Sequence, residues 1–529
     1  MITLLVTFIY FAGLLFLLDV RVHTLLTYFQ QEEYEAGRFL ATVAKMRLYD
    51  VVSGAAVLVL FVLGLVARQQ ELALLGAAIV FAGVAWRERK FKFKKPLVLT
   101  ARILRLRLVV RPAIAVLALS VWLWWPLAVL VLQIVPLVIV AANALLAPAQ
   151  ERINQGYIEE ARQKLADFEG LRIGVTGSFG KTSVKHILAQ VLAIDGNVFY
   201  SRGSVNTVLG LTRHIRQRLQ PSHKYFIAEM GAYQIGSIAR LCRFAQPEVG
   251  IITAVGDAHL ERFGGIEQVA EGKAELAAFV CEHGRLVVTT EDVLQHKPFR
   301  DLYERHREKF VVCGPIEAAD VQILDSRLDQ DGRALKLRVG KDGPLLDLVV
   351  PLLANYNAAN IALVVGTVNA IAPSVLAFLP GFMPHLEQTP HRLQKKESVG
   401  APLLLDDAYN ANEVGFREAV AVLKTLADER GGKSVMVTPG IVELGATHDQ
   451  VHRALGELSG KLCDAVYVVN PARIPSFLEG AKAGGKATIT PVQRFSEAQA
   501  AISKLYRDPR DVILYENDLP DMLEEVRLL

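Results

Sequence analysis

Cysteine is scarce in this sequence. The four residues, Cys242, Cys281, Cys313 and Cys463, lie far apart and form no CxxC pair. That spacing argues against a zinc ribbon and a disulfide framework, and leaves them as reduced core residues of a cytosolic domain. A surplus of one charge is missing too, since 58 Lys and Arg face 54 Asp and Glu for a net charge of +4. Global charge therefore gives no support to a nucleic-acid partner. The first apolar run lacks a basic segment before it and an obvious small-residue cleavage site, and its first charge is Asp19. We read it as an uncleaved anchor, not a signal peptide. What the chain does have is apolar mass: 52% of it is hydrophobic and its mean hydropathy is positive. That is high for a purely soluble protein, so part of this mass belongs in lipid.

Apolar runs fall at roughly residues 2–20, 51–67, 71–86, 109–125 and 126–147, against the ~20 residues that a helix needs to span a bilayer. The first and last are the strongest and the third is short, so the expected count is four or five spans. Pro126, in WLWWP, marks a turn between the last two. Basic residues orient the bundle. Arg21, Arg38, Lys45 and Arg47 lie in the first loop, and the stretch RERKFKFKKPLVLTARILRLRLVVR, residues 87–111, is crowded with Lys and Arg. With five spans both basic loops and everything after residue 149 fall in the cytoplasm, with the N-terminus outside. The basic stretch suits membrane lipid, or an anionic lipid-linked substrate, as a partner. The following segment, PAQERINQGYIEEARQKLADFEG, carries a helical apolar stripe and is expected to connect the membrane part to a soluble part.

From Leu171 onward short apolar strands such as RIGVTG, YFIAEM, VGIITAV and RLVVTT alternate with helical stretches, the pattern of an α/β domain with a mainly parallel sheet. The first strand leads into TGSFGKTS. Gly177 and Gly180 let backbone N–H groups approach phosphate, Ser178 and Ser183 lie in the same loop and first turn, Lys181 is placed for the β- and γ-phosphates, and Thr182 can ligate Mg²⁺. Val175 stands where the strict GxxxxGK[ST] pattern has its first Gly. Glu229, ending YFIAEM, suits a hard metal ion beyond the carboxyl edge of the sheet. His259 follows another strand, and Lys273 sits in AEGKAEL on a helix.

In this order the motifs resemble the Mur ligase family, the ATP-dependent amide ligases of peptidoglycan precursor synthesis, and among them the D-alanyl-D-alanine-adding branch. The resemblance runs from about residue 171 to the C-terminus. It implies ATP and one or two Mg²⁺ ions as cofactors. Thr182, Glu229 and His259 would be metal ligands, joined by Lys273 as a carbamate whose carboxylate supports a metal, and Lys181, His259 and Lys273 would be catalytic. It further implies nucleotide contacts from Asn357 and Asn360 in NYNAAN, from Arg392 in HRLQ and from Asp407 in LLLDDAYNAN. Asn206 in SVNTVLGL would be a substrate contact, with Tyr409, Asn410 and Asn412, and Glu443 in VELGA fits the same family. The implied architecture is a membrane helix bundle (1–149), a central P-loop ATPase domain with a mainly parallel sheet (150–378) and a C-terminal Rossmann-like α/β domain (379–529).

Two substitutions depart from the branch, His391 where Gly often precedes the Arg and Ala408 where Ser is usual. A larger departure is that membrane spans and a linker helix occupy the place of the small soluble domain that holds the UDP-sugar. The leading reading is a membrane-attached ligase joining a cell-envelope peptide or glycopeptide precursor, UDP-linked or lipid-linked, to an amino acid or dipeptide. A polymer-forming ligase similar to poly-γ-glutamate synthases is the second reading, and the DDAYNAN run favours the first. The third, a P-loop ATPase driving a transporter or scaffold, is weakened by the scarcity of charges within the spans.

Overall fold

The structure, a computed structural model, describes all residues except 1, 46–49, 92, 94, 123, 233, 257–262, 330–331, 410–411, 443 and 519–529. The described residues form two compact units, one within residues 1–154 and one over Gln155–Asp518.

In the first unit three helices are long and apolar enough to cross a membrane, Ile2–Gln31, Gln70–Arg89 and Trp125–Ala166. The 71–86 run, expected to be the marginal one, thus lies in a full-length helix. The weaker segments are elsewhere. Val51–Val66 has only 16 residues, and the run expected from 109 is the second half of the helix Ala101–Leu119, whose first half carries Arg102, Arg105 and Arg107. The last span and the expected linker are one helix, Ala128–Ala166, apolar before Pro148 and polar after it.

Side-chain contacts give the direction of each helix. Thr3 bonds Glu71 at 2.5 Å and Arg21 bonds Glu88 at 3.1 Å, so the helices Ile2–Gln31 and Gln70–Arg89 run parallel. Val51–Val66 joins the latter through a tight turn and must run back between them. Along Ala101–Leu119 the pairing with the first helix reverses, His23 with Arg107 at 2.7 Å and Asp19 with Arg111 at 2.8 Å. The five helices therefore alternate in direction.

Their two ends differ in chemistry. One gathers Trp124 and Trp125 against Phe61, with Trp125 Nε1 donating to Gln70 at 3.1 Å and Tyr10 to the Trp125 carbonyl at 2.8 Å. The other gathers Arg21, paired with Asp50 at 3.0 Å and with Glu88 at 3.1 Å, all three buried, beside the arginine-bearing helix. Between the ends large apolar side chains such as Phe8, Val62, Ile79 and Leu137 are exposed, as lipid-facing surface would be.

In the second unit the described strands make two sheets. The larger has the order β2-β3-β1-β4-β5-β6-β7-β8-β9, with β1 Leu171–Thr176, β2 Val198–Tyr200, β3 Tyr225–Glu229, β4 Val249–Ile252, β5 Leu286–Thr290, β6 Phe310–Gly314, β7 Val321–Asp329, β8 Gly332–Val339 and β9 Leu345–Val350. It is parallel through β7 and antiparallel beyond. The inner strands of the parallel part are mostly apolar runs because helices cover both faces, and β3 and β4 are buried at every position. The apolar helix Asn357–Ile371 is core, with Ile361 to Val365 fully buried. The second sheet, β10-β11-β15-β12-β13-β14, is parallel except for β10. Its strands are β10 Gln394–Lys396, β11 Leu403–Asp407, β12 Ser434–Thr438, β13 Ala465–Val469, β14 Thr488–Val492 and β15 Val512–Glu516.

The alternation is checked by single cysteines at Glu33, Arg68, Lys95 and Trp124, since the native cysteines are all buried. In sealed vesicles an impermeant thiol reagent is expected to reach Glu33→Cys and Lys95→Cys from one side and Arg68→Cys and Trp124→Cys from the other. Labelling of all four from one side would contradict the helix order.

Candidate active site

Strand β1 ends at Thr176, the chain turns over residues 177–180, and the helix Lys181–Leu192 begins. Gly177 has φ 151° and Gly180 φ 82°, conformations that side chains with a Cβ rarely adopt. Space is restricted as well: a Cβ on Gly177 would run into the Thr253 hydroxyl, and one on Gly180 would lie 2.7 Å from Asn360 Oδ1. Residues 253–256, after β4, brace the loop. Ser178 N donates to the Ala254 carbonyl at 2.8 Å, Ser178 Oγ and Gly256 N are 2.9 Å apart, and the Thr253 hydroxyl donates to the Phe179 carbonyl.

Lys181 Nζ folds back onto the loop, donating to the Gly177 carbonyl at 2.6 Å and the Ser178 carbonyl at 3.2 Å. Burial pulls its pKa down to about 8, against the pull of Glu229 and with help from the positive charges of Arg392 and Lys185. A lysine held on carbonyls at the start of a helix is a movable cation beside a set of backbone donors.

Glu229, at the carboxyl end of β3, is the centre of the polar network and is buried. Its Oε2 accepts from Thr182 Oγ1 at 3.0 Å and from Lys185 Nζ at 2.7 Å, and its Oε1 from Asn206 Nδ2 at 3.3 Å. Lys185 also donates to the Gly203 carbonyl at 2.5 Å, tying the loop that carries Asn206 to the helix that follows the phosphate loop. Burial lowers the Lys185 pKa further than the Glu229 carboxylate restores it. Lys273, on the helix Ile266–His283, is buried, and its pKa is driven well below the usual amine range by burial and secondarily by Lys181.

The second sheet adds an ionic group. Arg392 stacks over the Tyr409 ring at 4.5 Å, between His391 and Leu393, which both have positive φ. Asp407, ending β11, is buried and its Oδ1 accepts from Leu393 N at 2.9 Å. Burial raises its pKa to about 6, opposed by that hydrogen bond and by Arg392. Asp406 pairs instead with Lys396 and with His391 at 2.9 Å.

A family profile described as the Mur ligase middle domain matches residues 175–368. The UDP-N-acetylmuramoyl-tripeptide--D-alanyl-D-alanine ligase of Mycobacterium tuberculosis (strain H37Rv) is 30% identical over 367 residues, 65% of this chain and 69% of the relative. The chain belongs to the Mur ligase family. Members of this family are ATP-dependent amide ligases. The ligase of the same name from Escherichia coli (strain K12) is 30% identical over 285 residues, 54% of this chain and 61% of that protein, so the match spans about three fifths of the relative's length. Among solved structures, MurF from Thermotoga maritima in complex with ADP superposes with TM-score 0.58 at 26% identity, covering 70% of this chain and 82% of that one. Crystal structure I of MurF from Acinetobacter baumannii has the same fold, with TM-score 0.57 at 23% identity over 69% of this chain and 77% of that one.

In this Mur ligase the fold brings Lys181, Thr182, Asn206 and Glu229 into one network, with Lys273 near Lys181 and Asn360 against Gly180. Asn360 Nδ2 donates to Asn357 Oδ1 at 3.0 Å at the start of their helix. Ser183 lies in the first turn and makes no part of the network. Asn412 is the N-cap of the helix Glu413–Arg430, accepting from Gly415 N at 2.8 Å, and Tyr409 is exposed. His259, Asn410 and Glu443 lie outside the described residues. Sequence reasoning passed over Lys185, although it stands one helical turn after Lys181 on the same face, and Thr253, which no motif marks.

The network has a stability signature. Lys185→Met leaves the Glu229 charge buried without its cation and is expected to cost about 3–5 kcal/mol. Lys185→Met/Glu229→Gln should recover most of that loss. Urea unfolding of both variants measures it, and equal losses would rule out a direct charge pairing.

Proposed function

We propose that this chain is a membrane-attached, MurF-like ligase that uses ATP to join a carboxylate of a cell-envelope peptide precursor to the amine of an amino acid or dipeptide. The observation that carries the reading is the convergence of Thr182, Lys185 and Asn206 on Glu229 directly beside a phosphate-binding loop. The relatives named above act, by name, on a muramoyl tripeptide and D-alanyl-D-alanine. We propose the same class of substrates here, with the domains 1–149, 150–378 and 379–529.

A carboxylate is a poor electrophile. Transfer of the γ-phosphoryl group converts it to an acyl phosphate, which the amine attacks with release of phosphate. In this chain the backbone N–H groups of residues 177–182 receive the phosphates, and Lys181 leaves its carbonyl partners to neutralise charge developing on the transferred group. Asn357, Asn360, Arg392 and Asp407 hold the nucleotide, and Asn206 orients the carboxylate. Tyr409, Asn410 and Asn412 are proposed contacts on the amine side.

The Thr182 hydroxyl and the Glu229 carboxylate, 3.0 Å apart, suit a hard cation that takes its other ligands from phosphate and water. Among the described residues no group of three His, Cys, Asp or Glu side chains could hold a metal alone. Mg²⁺ bound there, with His259 and carbamylated Lys273 in support, would neutralise phosphoryl charge. Lys273 fits its part: it is buried, its pKa is lowered, and among the described residues no carboxylate pairs with it. A neutral amine is the form that adds CO₂.

The membrane reading is supported by the exposed apolar belt and the aromatic and basic ends of the bundle. The basic end is proposed to face the cytoplasm and to draw a lipid-linked, anionic precursor to the enzyme. On Ala101–Leu119, Arg102 bonds the Asn143 amide at 2.9 Å and stacks over the Tyr34 ring, and Arg105 bonds the Gln150 amide at 2.6 Å; among the described residues no carboxylate pairs with either, which leaves their charge for an anion.

Lys181→Ala is expected to fold normally and lose turnover by roughly three orders of magnitude, the scale of a lost transition-state charge contact. Near-native ADP formation by that variant would refute the nucleotide site. Lys273→Ala should be similarly impaired and partly rescued by short carboxylic acids. Full activity of Lys273→Arg, which supplies only positive charge, would exclude the carbamate.

A further inference from the structure

Strands β11 and β15 lie side by side and parallel, and their last residues, Asp407 and Glu516, are partners in the register. Both side chains are buried, Glu516 completely. Among the described residues neither Glu516 oxygen finds a hydrogen-bond donor. As register partners at the ends of neighbouring parallel strands, the two carboxyl groups lie side by side on one face of the sheet, where two carboxylates cannot satisfy each other because both only accept.

The surrounding charges do not resolve this. Arg392 is the cation that acts on Asp407. Asp406, the other carboxylate on β11, is occupied by Lys396 and His391. Tyr356 is partly buried beside the pair, and its pKa is raised by desolvation first and then by the charges of Asp407, Glu516 and Glu418, against Arg392. Asn517, which follows Glu516, directs its amide to the Gly440 carbonyl at 2.8 Å and its backbone N–H to the Asp407 carbonyl at 3.1 Å. With both acids ionised, two buried negative charges would face one guanidinium. A single proton between them reduces the pair to one negative charge, which balances Arg392.

We propose that Asp407 and Glu516 share one proton at neutral pH, and that Glu516 is thereby the positioning residue that fixes Asp407 for the nucleotide. The Glu516 hydroxyl donates to one Asp407 oxygen while Leu393 N donates to Oδ1. The carboxylate is clamped from two sides and keeps its charge toward Arg392. Burial and the neighbouring Asp407 charge push the Glu516 pKa well above the usual carboxylate range, which keeps the proton in place. Loss of that proton as pH rises adds a buried negative charge and weakens the nucleotide site. The role for the nucleotide rests on the reading of Asp407 given under Proposed function; the shared proton does not.

Infrared difference spectroscopy on the full-length protein in detergent tests the proton, and ADP titration across pH tests the positioning. A carbonyl stretch of a protonated carboxylic acid is expected at pH 7 and should vanish in both Glu516→Gln and Asp407→Asn. Glu516→Ala should bind ADP about tenfold more weakly than the native chain, the loss of one charge-assisted hydrogen bond. Glu516→Gln, which still offers a donor, should recover most of that affinity and lose the weakening at alkaline pH. No acid band at pH 7, or a band that survives both substitutions, would overturn the shared proton. Unchanged ADP affinity in Glu516→Ala would overturn the positioning role. If the native chain itself fails to bind ADP, the nucleotide reading falls while the infrared result still decides the proton.

Discussion

Glu229 is a carboxylate without access to water at the carboxyl edge of a parallel sheet, and three hydrogen bonds from two different segments satisfy it. Thr182 comes from the helix after the phosphate loop, Lys185 from the next turn of that helix and Asn206 from the loop after β2. A buried charge of this kind is tolerated only while it is paired. The position of the phosphate loop relative to β3, and of the Asn206 loop relative to both, is therefore fixed by one electrostatic requirement. The same requirement places a hydroxyl and a carboxylate together beside Lys181. Structure and chemistry draw on the same contacts.

The first unit is ordered by a parallel constraint. Arg21 is fully buried between Asp50 and Glu88, so three helix segments meet at a fixed height in the bundle. The apolar helices could slide past one another without loss of burial, since one leucine surface resembles another. An ionic triad cannot slide. It sets the register of the bundle, and the aromatic side chains at the opposite end close it.

Much of this was legible in the sequence. TGSFGKTS could be placed between strand and helix because glycines, a lysine and a threonine at that spacing leave few alternatives, and strands β1, β3, β4 and β5 were readable as apolar runs. The membrane third was readable in outline but not in length. Hydropathy read the 71–86 run as short, whereas its helix extends into the polar ends Gln70 and Arg89, and it could not reveal that Ala101–Leu119 runs antiparallel to the first helix, with Arg107 against His23 and Arg111 paired with Asp19. Pairings that depend on tertiary contact were hidden altogether. No pattern in the sequence marked Lys185 or Glu516; helix packing brings the first to Glu229 and strand register the second to Asp407. Asn412 carries a role that the motif did not show. The motif suggested ligand contact, and the fold also uses its side chain to cap the helix Glu413–Arg430.

The central claim is that ATP is consumed to condense a carboxylate with an amine. It is tested most directly by mass spectrometry of products formed by the full-length protein offered ATP, UDP-linked and lipid-linked muramoyl peptides, D-alanyl-D-alanine and single amino acids. The account expects ADP to appear together with a product whose mass is the sum of one peptide and one amine less water, and to depend on both being present. ADP formation at the same rate with or without peptide and amine, and no condensed product from any combination, would contradict it.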